Sequence, residues 1–246
     1  MTPLRPTTEE KQEADHHPYQ RPRDAATLIL IDRSARQPRV LLGRRHPNVV
    51  FMPGKFVFPG GRVDPSDSRI PTAAPLPPEL EAQLSKGSPR TPPSRARSLA
   101  IAAIREACEE TGLCLGRRVD QPVPQLGGAW QPFAAANLLP DPSGLYLIAR
   151  AITPPGRVRR FDTRFFTADA SSIAHRVDGI IHADAELVEL VWAELGSQPL
   201  ADLHPMTKRV LEQLELRLAG GPLRHDAPVP FFHAINGTMC MEMLTD

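Results

Sequence analysis

The apolar positions of this chain fall into two rhythms. Residues 25–32 (AATLILID) form a short unbroken apolar run with charge on either side, the pattern of a buried strand. Residues 39–45 (RVLLGRR) and 56–58 repeat it as shorter strands, and Phe58-Pro59-Gly60-Gly61 follows as a tight turn. Further strands are expected at 122–133, 144–152, 161–167 and 187–192. The rhythm turns helical at 98–111: Ser98 stands where a cap is needed, Ala, Leu, Ile, Glu and Arg fill the segment, and Gly112 stands at C′. A second amphipathic helix is expected at 202–218, where Leu203, Met206, Val210, Leu214 and Leu218 come close to helical spacing.

Composition then divides the chain. Residues 68–97 are rich in Pro, Ser, Ala and Arg and read as an inserted surface loop with room for a short helix at 78–84. Residues 1–24 are polar, carry both charges and contain no apolar targeting core, so they read as a flexible arm. The segment 220–246 is a Pro-rich C-terminal extension, which leaves 25–219 as the domain. The 28 prolines are about twice average usage, so much of the chain must be loop. A net charge of +1 argues against a dedicated nucleic-acid or membrane-surface partner. The three cysteines, Cys108, Cys114 and Cys240, include no CxxC pair, so a disulfide framework is not expected and a reducing compartment is. No apolar stretch approaches a membrane span, and the expected location is cytoplasmic.

The segment Arg105-Glu106-Ala107-Cys108-Glu109-Glu110 carries the chemistry. With Arg105 at zero on a helix turning about 100° per residue, Glu109 falls near 40°, Glu106 near 100° and Glu110 near 140°. Ala100, Ile101, Ile104, Ala107 and Cys108 take the other side. Like charges at i, i+3 and i+4 weaken a helix by a few tenths of a kcal/mol per pair. A hard divalent cation that binds oxygen ligands gives such a cluster a purpose. Arg105, one turn before Glu109, is placed to orient one carboxylate. On spacing alone, an ordinary solvated helix face remains the competing reading.

Context changes that balance. Gly61, followed after an interval by Arg105, Glu106, Ala107, Glu109, Glu110, Gly112 and Leu113, resembles the Nudix signature: Gly, five residues, Glu, seven residues, then Arg-Glu-aliphatic-x-Glu-Glu-x-Gly-aliphatic. Asp67 stands where that signature has its first Glu. Residues 68 to 104, 37 in all, stand where it has seven, an insertion of 30. A structural salt bridge fits Asp67 better than a metal bond. The interrupted box, with Phe51-Met52-Pro53-Gly54, Val57 to Asp64 and Arg160-Phe161-Asp162-Thr163-Arg164-Phe165-Phe166, is similar to the Nudix branch of the peroxisomal coenzyme A diphosphatase type.

The resemblance implies a Nudix α/β/α sandwich, a mixed sheet between helices. It implies Mg²⁺- or Mn²⁺-dependent hydrolysis of a phosphoanhydride in a nucleoside diphosphate linked to another group. Coenzyme A or an acyl-CoA is the first expectation, giving 3′,5′-ADP and 4′-phosphopantetheine. An ADP-ribose, NADH or dinucleoside polyphosphate pyrophosphatase is the alternative, and a non-catalytic nucleotide-binding domain is the alternative of another class. Glu106, Glu109 and Glu110 are then expected to hold metal, Arg105 to orient them, and Gly60 and Gly61 to let the loop pass closely. Glu110, Glu186 and Glu189 are the candidate general bases. The partner is a nucleotide-derived small molecule, with neither nucleic acid nor membrane involved; a homodimer is compatible.

Other residues weigh less. Arg44, Arg45 and Arg160 are candidate phosphate contacts, against the simpler reading of charged loop and strand ends. Arg157, Arg159 and Arg164 complete a local basic stretch with Arg160, which as a whole is a candidate for substrate phosphates against the simpler reading of a charged loop. Trp130 is capable of stacking on a base, but a core role suits it better. The eight histidines form no HExxH pattern, and no GxSxG or P-loop is present.

Overall fold

A computed structural model describes residues 1–4, 18–49, 52–86, 92–124, 126–196 and 202–244. Strands β1 (Thr2–Pro3), β2 (Arg23–Asp32), β3 (Arg39–Arg45), β4 (Phe56–Val57) and β5 (Gly60–Arg62) open the fold. A 3₁₀ turn at Pro65–Arg69 follows, then helices α1 (Pro78–Ser85) and α2 (Pro93–Thr111) and strand β6 (Leu113–Arg118). Helix α3 (Gln131–Ala135) leads to β7 (Leu138–Pro140), β8 (Tyr146–Ile152), β9 (Phe161–Asp169), β10 (Ile173–Arg176) and β11 (Leu187–Glu194). Helix α4 (Pro205–Ala219) and the hairpin β12 (Val229–Ile235) and β13 (Thr238–Leu244) complete it.

The main sheet runs β1-β13-β12-β8-β9-β2-β3-β11, with β4 on β3 and β5 on β2. It is mixed: β2 lies parallel to β9 and β12 parallel to β8, while the other pairs are antiparallel. β2 shows why its sequence is apolar without a break. Ala26, Leu28 and Leu30 pack toward α1 and α2, whereas Ile29 and Ile31 join the opposite layer with Val210 and Leu214 of α4. The result is the α/β/α sandwich that the sequence implied. A second sheet, β10-β6-β7, flanks α2.

Several boundaries move. The α2 helix starts five residues before Ser98, with Pro93 at its first position; Ser98 lies inside it and donates to the Ser94 carbonyl at 2.7 Å. Residues 68–97 are not merely a surface loop. Ile70, Leu76, Leu80 and Leu84 enter the core beside α2, and Gln83 donates to the Ala227 carbonyl at 3.0 Å. The described residues of 122–133 do not form a strand, since three prolines and two glycines break it; Trp130 and Phe133, three apart, instead share one helical face with ring centroids 5.1 Å apart. Strands β6 and β7 went unanticipated. The segment after Gly220 contributes two strands to the main sheet. Among the described helices, none is long and apolar enough to cross a membrane.

Gly112 ends α2 at φ 74°, and a side chain there would meet the Val177 carbonyl at 2.3 Å. The reversal at Gly112 brings Cys108 back over Cys114, and the two are joined in a disulfide, against the expectation of none. Cys240 is free and buried.

Leu80 carries the test of the insertion as core. Leu80→Ala is expected to cost about 2–5 kcal/mol of unfolding free energy in urea titration. Leu216→Ala, at a position 67% exposed, should stay within about 0.5 kcal/mol of wild type.

Candidate active site

The helix α2 is apolar on almost every side: Leu99 to Ile104 and Ala107 are fully buried between sheet, α1 and the 3₁₀ turns. After its first turns, where Arg95 pairs with Asp24 and Arg97 donates to the Ser68 carbonyl, only its last two turns bring polar groups out, and there Arg105 is the organising residue. Its Nε donates to Asp67 Oδ1 at 2.8 Å, and its Nη2 to Asp67 Oδ2 at 3.1 Å and the Arg62 carbonyl at 2.9 Å. Its Nη1 donates to Glu106 Oε1 at 2.8 Å and Glu109 Oε2 at 2.6 Å. All five guanidinium donors are thus used. Burial works against the charge on Arg105, but Asp67, Glu106 and Glu109 outweigh it and hold the group firmly protonated.

Asp67 is completely buried and also accepts from the Asp64 amide at 2.8 Å. It therefore has the salt-bridge environment expected of it, locking the end of the signature's first half to the helix.

Glu106, Glu109 and Glu110 line one cavity of about 240 Å³ together with Glu186, Ile180, Ala185 and Leu187. β5 passes directly over the helix here. The Gly60 amide donates to Glu110 Oε2 at 2.9 Å, and a Cβ on Gly61 would lie 2.5 Å from Glu106 Oε2. A Cβ on Gly60 would strike the Ala26 carbonyl at 2.6 Å, so both glycines are required for this approach. Burial pushes the Glu106 carboxyl up to about 7, although Arg105 opposes the shift. Burial, then Glu186 and Glu106, push Glu110 well above the carboxylate range, with the Gly60 amide and Arg45 acting against it.

The other anticipated residues separate. Glu186 stands at the cavity, paired with Arg45 Nη2 at 3.0 Å, and its own carbonyl accepts from the His46 amide at 2.9 Å. Glu189 pairs instead with Arg44 Nε at 2.8 Å, and Arg44 also meets Asp202 at 3.2 Å and covers the Phe56 ring. Neither Arg44 nor Glu189 lines the cavity. Arg160 is buried and donates to the carbonyls of Thr153 and Gln20, at 3.0 and 2.7 Å. Arg164, 1% exposed, is paired with Asp162 at 2.6 Å within a network that includes Arg150. Arg159 of that stretch, named in the sequence only as one of its four arginines, lines a second cavity. Trp130 is core, as its neighbours suggested. Phe51 lies outside the described residues.

The donor set suits a hard divalent cation: three carboxylates on one helix end and a fourth opposite. Among the described residues, no three acidic, His or Cys side chains close into a ready cage. That is compatible with Mg²⁺, which keeps waters and takes its remaining ligands from phosphate oxygens.

No family model matches the chain. Its structure is similar to the crystal structure of a NUDIX hydrolase from Alicyclobacillus acidocaldarius, with a TM-score of 0.54 and 28% sequence identity over 78% of this chain and 90% of that one. A Nudix hydrolase from M. smegmatis, RenU, follows at 18% identity over 82% and 89%, TM-score 0.43. The NUDIX domain of Shewanella oneidensis NrtR, crystallised with ADP ribose, matches at 17% identity over 86% and 99%, TM-score 0.42. The fold and the site are thus similar to those of a Nudix hydrolase.

Two outcomes follow from the buried pair and the crowded carboxylates. Asp67→Ala is expected to destabilise the protein by about 3–5 kcal/mol in denaturant titration, because it strips a buried guanidinium of its main partner. A carboxyl raised to about 7 when folded binds its proton more tightly in the native state than in the unfolded chain. Metal-free protein should therefore lose stability as pH rises from about 4.5 to 7, by at most about 3 kcal/mol from this group. Thermal melts in chelator check this; Glu106→Gln should flatten the slope.

Proposed function

We propose that this protein hydrolyses the phosphoanhydride of a nucleoside diphosphate linked to a second moiety, using Mg²⁺ or Mn²⁺ held by Glu106, Glu109 and Glu110. The observation that carries the reading is the gathering of these three carboxylates and Glu186 around one cavity, against an arginine whose every donor is occupied. Burying so many like charges is unfavourable without a compensating cation. The bound ion would neutralise the diphosphate and make a coordinated water more acidic.

The protein's own groups supply position. Arg105 fixes the rotamers of Glu106 and Glu109, and the Gly60 amide fixes that of Glu110. Glu186 is the proposed general base, accepting the proton of the attacking water. It faces the carboxylate cavity across from α2, where Glu189 does not. Arg45 orients Glu186 through their ion pair, a more specific task than phosphate binding.

Coenzyme A or an acyl-CoA is the proposed substrate, on the strength of the interrupted signature. The test is a panel of coenzyme A, ADP-ribose, NADH and a dinucleoside polyphosphate, with Mg²⁺ and with Mn²⁺. Glu110→Gln and Glu106→Gln should lower kcat on the order of 10²-fold or more, and Glu186→Gln should remove the alkaline-rising limb of the pH–rate profile. Faster cleavage of ADP-ribose than of coenzyme A would overturn the substrate assignment; no cleavage of any member would overturn the enzymatic one.

A further inference from the structure

A second cavity, of about 440 Å³, adjoins the first and shares Ala185 and Glu186 with it. Its volume is in the range of sites that hold a small organic ligand. Its lining is unlike an apolar slot. Arg45, His46, Asn48, Arg159 and Asp184 face it, and Val49 is its one large apolar contributor among the described residues. A fatty or pantetheine chain gains little from such walls, whereas a sugar phosphate is suited to them.

The charges in this cavity are not equivalent. Glu186 and Arg45 neutralise one another at 3.0 Å. Arg159, by contrast, is exposed and has no hydrogen-bond or ion-pair partner among the described residues, yet it lines the cavity. Its backbone is held by its neighbour, since buried Arg160 ties the loop to the carbonyls of Thr153 and Gln20. The guanidinium is thus presented from an anchored loop. A planar fork of this kind binds a phosphate through two parallel hydrogen bonds. Asp184 offers an acceptor to the same space, which fits a ribose hydroxyl. His46 adds a donor: its Nδ1 accepts from the Asn48 amide at 3.0 Å, which leaves the proton of the neutral ring on Nε2.

We infer that this cavity is a subsite for a ribose bearing a phosphate monoester, separate from the diphosphate that is cleaved, and that Arg159 is its anion-binding residue. The inference rests on the proposed phosphoanhydride hydrolysis for the orientation of the ligand. It makes phosphorylation of the ribose a determinant of substrate choice.

The full chain is titrated calorimetrically with adenosine 3′,5′-bisphosphate, adenosine 2′,5′-bisphosphate and AMP. One bisphosphate should bind about tenfold more tightly than AMP, the scale of one charge-assisted contact. Which of the two wins distinguishes a 3′- from a 2′-phosphate. Arg159→Ala should abolish the advantage while leaving AMP affinity unchanged, and Arg159→Lys should keep part of it. Because Arg159 is exposed, melting temperatures should be unaltered. Equal affinity for AMP and both bisphosphates, or an advantage that survives Arg159→Ala, overturns the inference. Kinetics separate it from the reading beneath it. Coenzyme A should exceed dephospho-coenzyme A in kcat/KM through KM, and Glu110→Gln should abolish both turnovers while keeping the binding advantage. A binding advantage in a protein that cleaves nothing would refute the hydrolase reading and leave the subsite standing.

Discussion

The guanidinium of Arg105 is the joint on which the rest of the site depends. It is buried, and a buried charge is tolerated only when its donors are satisfied. Asp67 and the Arg62 carbonyl satisfy it from the β5 side, Glu106 and Glu109 from the helix. One group thereby fixes the distance between two chain segments and the rotamers of two carboxylates. Burial opposes the charge on Arg105, which its carboxylate partners secure, and the same burial raises Glu106 and Glu110, so the site is electrostatically unfinished without a cation or a proton.

The sheet determines where that joint falls. β2 is apolar on both faces because helices cover both, and β5 pairs with it through Ala26 and Thr27. Glycine at 60 and 61 lets this pairing come within contact of Glu106 and Glu110. The insertion does not displace the arrangement, because it leaves through the 3₁₀ turn beyond Asp67 and returns as the first turns of α2. Leu80 and Leu84 replace solvent beside the helix with apolar packing. The carboxylate end of α2 remains open on the far side.

What the sequence disclosed follows the range of the interactions involved. Local signals were legible: the apolar run of β2, the αL glycine at 112, and the polar face at the end of α2. Ser98 misled because its hydroxyl bonds back to Ser94 inside the helix, a use that composition does not distinguish from a cap. Trp130 and Phe133 sit among prolines and glycines, and their three-residue spacing was too short a pattern to mark a helix. The strands β12 and β13 gain their stability from pairing with β8 and with each other, which no local pattern reports. The separation of Arg159 from Arg160 was also hidden: adjacent arginines with identical chemistry are sorted only by which one finds carbonyls to hold.

The parallel pairing of β2 with β9 has a consequence for how the molecule is made. The bond from Thr167 to the Ile29 carbonyl spans 138 residues, and α2 lies within that span. Closing so long a loop costs entropy before any central packing repays it, which slows folding. Until β9 arrives, the apolar strip of β2 has an unsatisfied edge and is open to pairing with other chains. The carboxylate end of α2 is correspondingly late to acquire its geometry, so during biogenesis the cluster of Glu106, Glu109 and Glu110 should take its final form near the end of folding.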